Sequence, residues 1–413
     1  MTKDINSSPD GEATPRLAAI ILAAGYSSRM GRLKPLLSIA GCTAVEAVVR
    51  TYVSAGIPDV FVVLGHRAGE LRPIVEAAGA RCVLNPNFDQ GMFSSVRAGV
   101  AALPQCAEAC FITPADIPLV RVSTVRQLAC CFTTTKKAVI YPVFQERRGH
   151  PTLVSRAILA ETLETSLDAK LSTLLAAHEA QSCNLFVPDE GIHMDMDTPA
   201  ELAAVRELAM HREFPTPAEC ESLLSGSQPG ERVARHSRVV AQVAYRLAVA
   251  LAERGVSVDP ALVRAAGLLH DIAKGKPEHA AVGAQLLRNL DFQRVAGVVA
   301  LHTDYTFNQL DDAAVVYLAD KLVSGDRLVG VEQRFQRSME RFQQNPAALA
   351  SARRRRATAE AIAREIESCL QVDLQQAIGD LPPRGDPTQA SDSDQSLATG
   401  KARGGDGVRL SRP

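Results

Sequence analysis

The sequence predicts an α/β domain followed by an all-helical domain, and three features carry that prediction. From Leu17 to about Met210, short runs rich in β-branched residues alternate with helical segments. Such alternation is typical of a mainly parallel sheet with helices on both faces. Beyond Glu231 the β-branched runs stop and long amphipathic segments replace them. The intervening segment, 211–230, is rich in proline, serine and glycine, which predicts a linker with a short acidic helix inside it.

Length and composition limit the class of protein. A chain of 413 residues is long enough for two or three domains, and 46% hydrophobic with 22% charged residues is ordinary for a soluble globular protein. The formal net charge of -1 provides no long-range field for nucleic acid or an anionic membrane, so neither is an expected partner. Nine cysteines without a C-x-x-C pair predict reduced core thiols in a cytoplasmic protein.

The polar residues 1–16 are not expected to form a signal peptide. Residues 1–16 lack the apolar region of a signal peptide, and no apolar run approaches the roughly 20 residues of a membrane-spanning helix. Residues 1–16 and 380–413 have little to bury and are predicted to be disordered.

The first domain, 17–210, is built from strands and helices in alternation. The predicted strands are Ala18–Ala23, Val60–Leu64, Arg81–Leu84, Ala109–Thr113, Ala138–Val143 and Ile192–Met196. The predicted helices are Thr43–Ala55, Gly69–Ala78, Ser94–Leu103 and Arg121–Phe132. Thr43 and Glu46 form a capping box at the start of one helix, and Gly56 ends it.

The second domain, 231–375, is predicted from helical periodicity alone. Its predicted helices are Arg232–Arg254, Pro260–His270, His279–Asn289, Phe292–His302, Ala313–Val323, Glu332–Ala348 and Ala350–Leu374. Apolar residues recur at near-helical spacing from Val239 to Leu251, so the first of these helices buries one face. The basic run Arg353–Arg356 is interpreted as a solvated face.

A candidate phosphate-binding loop follows the first predicted strand. The stretch 20–37, IILAAGYSSRMGRLKPLL, leaves a buried strand, turns at Gly25 and continues through Arg29, Arg32 and Lys34. Glycine lets backbone N–H groups face an anion without a Cβ in the way, and the cations neutralise its charge. The alternative is a tight connection whose basic residues are solvated.

Carboxylates follow later strands of the same domain. Asp116 comes just after a strand, between Pro114 and Pro118, while Asp195 and Asp197 lie two residues apart and are predicted on one face of a strand. In parallel sheets ligands bind at the carboxyl ends of strands, and magnesium takes one or two carboxylates plus phosphate oxygens. The alternatives are a turn carboxylate for Asp116, a polar residue near a strand end for Asp195 and a helix-start residue for Asp197.

These motifs resemble a known family. The stretch 22–37, LAAGYSSRMGRLKPLL, resembles the signature loop L-A-[AG]-G-x-S-x-R-M-G-x-x-K of the MobA/MocA-like molybdenum-cofactor nucleotidyltransferases, which have a Rossmann-like fold. Further matches follow in the family's order, over about Leu17 to Leu208: Asn85-Pro86 with Gly91-Met92 and Ser94-Ser95, Thr113-Pro114-Ala115-Asp116-Ile117-Pro118, Gly149-His150-Pro151, and Met194-Asp195-Met196-Asp197-Thr198-Pro199.

The resemblance implies transfer of CMP from CTP, or of GMP from GTP, to the terminal phosphate of a molybdopterin cofactor. Ala24 stands where guanylyl-transferring members tend to carry glycine, which favours CTP. His150 is implied on the substrate side, with a hydrogen-bonded structural histidine as the alternative. A molybdoenzyme or its chaperone is an implied protein partner. The implied catalytic residues are Arg29, Lys34 and Asp116; the nucleotide-binding residues are Leu22, Ala23, Ala24, Gly25, Ser27, Ser28, Arg29, Lys34, Ser94 and Ser95; and the Mg²⁺ ligands are Asp116 with Asp195 or Asp197.

Histidines and aspartates of the second domain form a candidate metal centre. Six such groups lie on or at the ends of five predicted helices: His236, His270, Asp271, His279, His302 and Asp320. Neutral imidazole together with carboxylate suits iron, manganese, zinc or similar ions, and two ions can share a bridging aspartate. A lone histidine on such a face is usually a satisfied core residue, but six converging groups predict metal binding.

The run 268–274, LLHDIAK, resembles the core of the HD-domain phosphohydrolases, and among them the YqeK-type subgroup that hydrolyses dinucleoside tetraphosphates. The resemblance covers about Val233 to Arg327. It implies one divalent ion at His236, His270, Asp271 and Asp320, and a second at His279 and His302, shared through Asp271. Lys274 is implied as a catalytic residue that neutralises leaving charge, the alternative being a solvated helix-end lysine. Thr303-Asp304-Tyr305 departs from the subgroup's pattern, which leaves the tetraphosphate substrate open.

The sequence therefore predicts a bifunctional enzyme, a cytidylyltransferase joined to a metal-dependent phosphohydrolase. Two alternatives stay open. The transferase could use another phosphorylated acceptor, such as a sugar phosphate or phosphoalcohol, and the helical domain could be a nucleotide-sensing module without turnover.

Overall fold

The computed structural model describes residues 15–26 and 31–379. The predicted disorder at the two ends falls almost wholly outside the described residues. The chain forms two compact units, which divide between Arg212 and Glu213.

The first unit is built on one mixed, mainly parallel sheet. The strands of the unit are β1 (Leu17–Ala23), β2 (Ser38–Ile39), β3 (Cys42–Thr43), β4 (Asp59–Leu64), β5 (Arg81–Leu84), β6 (Ala109–Pro114), β7 (Val139–Phe144), β8 (Arg147–Arg148), β9 (Thr152–Ser155) and β10 (Ser182–Phe186). Strands β2 and β3 form a separate antiparallel pair. The main sheet has the order β10-β7-β9-β6-β1-β4-β5, with β8 paired to β7. Strands β1, β4, β5 and β6 are parallel, whereas β9 runs antiparallel to both its neighbours.

Helices cover both faces of this sheet, as the sequence predicts. They are α1 (Ala44–Ser54), α2 (Ala68–Ala77), α3 (Met92–Ala101), α4 (Val122–Thr135), α5 (Arg156–Glu164), α6 (Leu171–Ala177) and α7 (Pro199–Met210). Val96 and Val100 of α3 pack on Ile20 of β1. On the opposite face, Tyr52 of α1 packs on Phe111 of β6, with ring centroids 5.6 Å apart. The predicted capping box of Thr43 and Glu46 is present at the start of α1.

The last predicted strand, Ile192–Met196, is wrong. Residues Glu190–His193 form a 3-10 helix, because the side chain of Asp189 accepts a hydrogen bond from the Gly191 N–H and turns the chain. The edge strand of the sheet is instead β10, which pairs with β7. Asp195 and Asp197 therefore do not share the face of a strand.

The second unit is helical, apart from a two-stranded pair of β11 (Val323–Ser324) and β12 (Arg327–Leu328). Its helices are α8 (Pro217–Ser227), α9 (Glu231–Glu253), α10 (Pro260–Leu269), α11 (His279–Asn289), α12 (Gln293–Leu301), α13 (Asp312–Leu322), α14 (Val331–Arg341), α15 (Pro346–Leu370) and α16 (Leu374–Ile378). They enclose one apolar core, to which Val240, Leu247, Leu269 and Val316 belong. None of the helices in the described part of the chain combines the length and apolar character needed to cross a bilayer.

Three predictions in this region need correction. The segment 211–230 contains the predicted short helix, α8, but it is not a linker, because Cys220, Leu223 and Leu224 of α8 join the apolar core. The predicted helix Glu332–Ala348 is broken, because Asn345 caps a new helix that has Pro346 in its first turn. The predicted helix Ala350–Leu374 ends at Leu370, where Gln371 adopts a left-handed conformation with φ 59°.

Candidate functional sites

The loop after β1 is tied to two neighbouring strand ends. The Leu22 carbonyl accepts a hydrogen bond from the Ala115 N–H (3.0 Å), and the Ala24 carbonyl accepts one from the His66 N–H (3.1 Å). Ala23 and Ala24 are buried. The loop backbone is therefore held by the ends of β6 and β4 before it reaches the exposed Gly25. The predicted residues Ser27, Ser28 and Arg29 lie outside the described residues.

Three aromatic rings gather beside this loop. The ring centroid of Tyr26 lies 5.0 Å from that of His66 and 5.3 Å from that of Phe88. Tyr26 is 54% exposed. Gly65 permits this packing, since a Cβ there would lie 2.6 Å from Phe88 Cβ and 2.8 Å from the Ala24 carbonyl oxygen.

Replacing Gly65 with alanine is expected to disturb this loop. The added methyl group must displace Phe88 or the Ala24 carbonyl, an overpacking that costs about 1–3 kcal/mol. Urea unfolding should therefore shift to lower concentration, and nucleotide binding measured by calorimetry should weaken. Gly69→Ala is the control, because a Cβ at Gly69 has no neighbour within 4 Å. Equal behaviour of the two variants would contradict this account of the loop.

Lys34, Asp116 and Asp197 meet at the carboxyl edge of the sheet. The Lys34 ammonium lies 3.0 Å from Asp116 Oδ2 and also contacts Asp197 Oδ1. Burial opposes the charged form of Lys34, but its hydrogen bonds to the two carboxylates outweigh this and raise its pKa. The structure thus brings together residues separated by 82 and 163 positions in the chain.

Asp195 lies in the same charged environment. Its pKa is raised, first by burial and then by the nearby negative charges of Glu201, Asp197 and Asp116. Raised proton affinity from crowded carboxylates marks a place where a cation is favoured. These oxygens are hard ligands of the kind that magnesium takes together with phosphate oxygens, so the donor set fits the predicted Mg²⁺.

His150 is partly buried and lies close enough to Asp116 to feel its charge. Its backbone N–H donates to the Ile192 carbonyl (3.0 Å), and its peptide bond to Pro151 is cis. Burial lowers the pKa of the ring, although a hydrogen bond with the Ile112 backbone and the charge of Asp116 oppose the shift. Within the described part of the chain, the buried ring atom Nδ1 has no hydrogen-bond partner. His150 is therefore a neutral imidazole with an unused polar atom.

The partly buried His150 should make the first unit sensitive to acid. Because its folded pKa lies below the ordinary value of 6.5, the unfolded chain takes up a proton that the folded chain does not. Above about pH 6.5 the ring is neutral in both states and does not reduce the free energy of unfolding. As the pH decreases below that value, the free energy of unfolding falls. Protection factors of β6 and β9 peptides in hydrogen–deuterium exchange, corrected for the pH dependence of the intrinsic exchange rate, should fall between pH 7 and pH 5, and should fall less in His150→Gln. The same fall in His150→Gln as in a His178→Gln control would contradict this assignment.

Ser94 and Ser95 face inward. Asn85 Nδ2 donates to the Ser94 and Ser95 hydroxyl oxygens at 2.9 and 3.0 Å, and both serines are buried. The Ser94 hydroxyl also lies 2.8 Å from the carbonyl oxygens of Asn87 and Gly91. These hydroxyls hold the loop between β5 and α3, and their predicted contact with a nucleotide stays a prediction.

The second unit contains two three-residue clusters of metal-ligand type. His236, His270 and Asp320 form the first, and Asp271, His279 and His302 form the second. In each cluster the candidate ligand atoms lie within 4.8 Å of one another. All six residues predicted from the sequence are present, brought together from α9, the α10 end, α11, the α12 end and α13.

Backbone carbonyls orient three of the histidine rings. The Nδ1 atoms of His236, His270 and His302 lie 2.7–2.8 Å from the carbonyl oxygens of Gly325, Gly267 and Val299. An Nδ1–H that donates to a carbonyl leaves Nε2 unprotonated and free to bind a metal. In the described residues, His270 Nε2 is buried without a hydrogen bond. The donor set therefore fits divalent transition metals, the iron or manganese class expected from the sequence.

Asp271 lies between the two clusters. Its Oδ1 is 3.3 Å from His279 Nε2 and 3.4 Å from His302 Nε2, whereas its Oδ2 is 3.5 Å from His270 Nε2. Burial would raise the pKa of this carboxyl, but His302, His270 and Lys274 hold it well below its usual range. One carboxylate thus presents an oxygen to each cluster, the arrangement of a bridging ligand.

Lys274 reaches the same carboxylate from outside. Its Nζ lies 3.0 Å from Asp271 Oδ2, and its side chain is 47% exposed. It can approach a substrate phosphate while paired to Asp271, so both the catalytic role and the solvated alternative remain compatible with its position.

Family models match both units. Residues 19–182 match the MobA-like NTP transferase domain, and residues 233–325 match the HD domain. The nicotine blue oxidoreductase of Paenarthrobacter nicotinovorans is 30% identical over 166 residues, which cover 38% of this chain and 81% of that protein. The chain belongs to the MobA-like NTP transferase family. An HD domain follows its MobA-like domain.

Two further relatives match parts of the MobA-like domain. A bifunctional IPC transferase and DIPP synthase of Rubrobacter xylanophilus is 39% identical over 105 residues, 24% of this chain and 24% of that protein. A 2-aminoethylphosphonate cytidylyltransferase of Lancefieldella rimae is 32% identical over 114 residues, 26% of this chain and 46% of that protein. The chain thus covers less than half the length of either protein.

A buried aspartate of the MobA-like domain was missed by sequence reasoning. Asp189 accepts hydrogen bonds from the Arg121 N–H (2.8 Å) and the Thr124 hydroxyl (2.6 Å), and pairs with Arg212 (2.7 Å). Burial would raise its pKa, but Arg212 and Arg121 lower it. Asp189 fixes the segment that leads to Asp195. In the sequence, Asp189 is marked only by a glycine two residues later, which does not single it out.

Proposed function

We propose that the MobA-like domain transfers CMP from CTP to the terminal phosphate of a molybdopterin-type cofactor and releases pyrophosphate. The observation that carries the proposal is the meeting of Lys34, Asp116 and Asp197 beside the loop after β1. In the reaction, an acceptor phosphate oxygen bonds to the α-phosphorus of CTP while the bond from that phosphorus to the pyrophosphate oxygen breaks. The chemistry needs alignment and charge neutralisation more than covalent help.

Each residue has a distinct task in this proposal. Arg29 and Lys34 neutralise the triphosphate, and Lys34 also holds Asp116 and Asp197 in place. Magnesium at Asp116 and one of Asp195 or Asp197 would supply further charge neutralisation. His150 is assigned to the acceptor side, and its Nδ1 has no hydrogen-bond partner among the described residues.

Cytosine is favoured over guanine by two features. Ala24 occupies the position where guanylyl-transferring members tend to carry glycine, and its carbonyl is already held by the His66 N–H. A cytidylyltransferase is among the relatives of this domain. The exposed ring of Tyr26 provides a flat apolar face for the base beside this position.

A second acceptor class is favoured by the relatives. One of them is named for 2-aminoethylphosphonate, a small phosphonate rather than a pterin. Labelled CTP incubated with the cofactor, 2-aminoethylphosphonate, a sugar phosphate and a phosphoalcohol separates the two candidates. We expect label transfer to the cofactor alone, and transfer to a small acceptor instead would overturn the choice of acceptor.

The HD domain is proposed to hydrolyse a nucleotide or phosphate ester. The observation that carries this is Asp271, which faces both clusters. Two divalent ions would polarise the phosphate and supply the activated water, while Lys274 neutralises the leaving group. Metal content of the purified protein and phosphate release from a panel of nucleotides test it. A metal-free protein without turnover would instead favour a nucleotide-sensing module.

A further inference from the structure

A buried lysine lies behind the two clusters of metal-ligand type in the HD domain. Lys321 on α13 has a side chain that is only 9% exposed, and its Nζ lies 2.6 Å from Asp320 Oδ2. The same ammonium donates to the His302 backbone carbonyl at 3.1 Å. It also lies 4.6 Å from the ring centroid of Tyr317, within the range of a cation–π contact. Three different partners therefore fix one buried positive charge.

These contacts determine which oxygen Asp320 offers to its cluster. With Oδ2 bound to Lys321, Oδ1 faces His236 Nε2 at 3.1 Å and His270 Nε2 at 3.6 Å. Without the ammonium, the carboxylate could rotate and present either oxygen, or both. The lysine thus favours a single-oxygen contact of Asp320 with the first cluster.

Lys321 also connects the two clusters. Asp320 belongs to the first and His302 to the second, and the ammonium bonds to the side chain of one and the backbone of the other. His302 ends α12, so the contact also holds the end of α12 against α13. The two clusters can share Asp271 only if they stay at a suitable distance. The Lys321 side chain helps to fix that distance.

We propose that Lys321 is a positioning residue for the two-metal site, which orients Asp320 and keeps the two clusters at the distance of a bridged pair. The inference rests on the proposed function of the HD domain. Lys321 differs from Lys274, which pairs with the other carboxylate but is half exposed. Lys321 is buried behind the ligands and acts through Asp320 and His302. Partners behind the ligands of this kind typically contribute about 10–100-fold to metal affinity.

The test uses the full chain, freed of metal with a chelator and titrated with Mn²⁺ alone. Two Mn²⁺ ions about 3.5–4 Å apart give an exchange-coupled electron paramagnetic resonance signal, which an isolated ion does not. We expect the wild type to show the coupled signal. Lys321→Met should lose it and bind the HD-domain ions about 10–100-fold more weakly. Lys321→Arg should recover the signal, and Lys276→Met, a loss of charge at an exposed lysine, should leave it unchanged.

Lys321→Gln keeps a donor for the His302 carbonyl but removes the positive charge. If Lys321→Met does not fold, the coupled signal and the Mn²⁺ affinity of Lys321→Gln test the role of Lys321. Circular dichroism and thermal unfolding in chelator establish that the variants compared are folded. A coupled pair of wild-type affinity in folded Lys321→Met or Lys321→Gln would overturn the inference and leave the hydrolase proposal standing. A wild type without a coupled pair would overturn both.

Discussion

Asp271→Asn is expected to abolish phosphate release by the HD domain, with a loss of about a thousandfold or more. The carboxylate presents one oxygen to each cluster, so its replacement removes a ligand from both. Loss of several kcal/mol of charge stabilisation corresponds to roughly three powers of ten in rate. Initial rates with a nucleotide substrate and divalent metal give the activity, and elemental analysis gives the ions retained per chain.

The metal count distinguishes loss of the bridge from general damage. His236, His270 and Asp320 remain in Asp271→Asn, so we expect retention of one tightly bound ion instead of two. Glu253→Gln, an exposed change at the end of α9, is the control and should keep both ions and full activity. Two ions and normal hydrolysis in Asp271→Asn would contradict the bridging role.

Asp116→Asn should lower nucleotidyl transfer by about a hundredfold to a thousandfold. The substitution keeps the size of the side chain but removes the charge that Lys34 contacts and that the predicted magnesium ion needs. Pyrophosphate release from CTP plus cofactor measures the loss. Raising the magnesium concentration should restore part of the activity if Asp116 is a metal ligand.

The matched control is Asp168→Asn, an exposed aspartate of the same unit. It should transfer CMP at the wild-type rate. Hydrolysis by the HD domain should be unchanged in both variants, since the two sets of residues belong to different units. Near wild-type transfer by Asp116→Asn would show that the assignment of the magnesium site is wrong.

Much of the architecture could be predicted from local sequence signals. The capping box of Thr43 and Glu46 depends on residues three positions apart, and the structure confirms it. The six metal-type residues of the HD domain are on or beside well-formed helices, so their convergence followed from helical periodicity and residue chemistry. The structure also confirms the predicted fold class, which depended on the alternation of strands and helices along the chain.

The segment after β9 was not predictable in this way. Strand β10, SCNLF, is short and alternates over only two buried apolar residues, Cys183 and Leu185, whereas the stretch at Ile192 carries larger apolar side chains and was predicted as a strand. What decides its conformation is Asp189, which is held by Arg121, Thr124 and Arg212 from distant parts of the chain. Contacts over such separations leave no local pattern, so the placement of Asp195 required the structure.

The burial of Ser94 and Ser95 is another feature hidden from the sequence. The resemblance to the family's nucleotide-binding segment implies that both serines contact the nucleotide. In the structure, Asn85 at the end of β5 donates a hydrogen bond to each of the two hydroxyl oxygens. The partner of each hydroxyl is supplied by the end of β5. The order of strands in the sheet brings that partner there, and a single stretch of sequence does not show it.

The most direct test of the central claim is to identify the product formed from molybdenum-bound molybdopterin and each of CTP and GTP. The full chain is incubated with magnesium, and products are separated and identified by mass spectrometry alongside pyrophosphate release. The proposed function predicts a cofactor carrying CMP, with one pyrophosphate released per cofactor, and much less product from GTP. Intact cofactor with neither nucleotide attached, in a preparation that binds CTP, would contradict it.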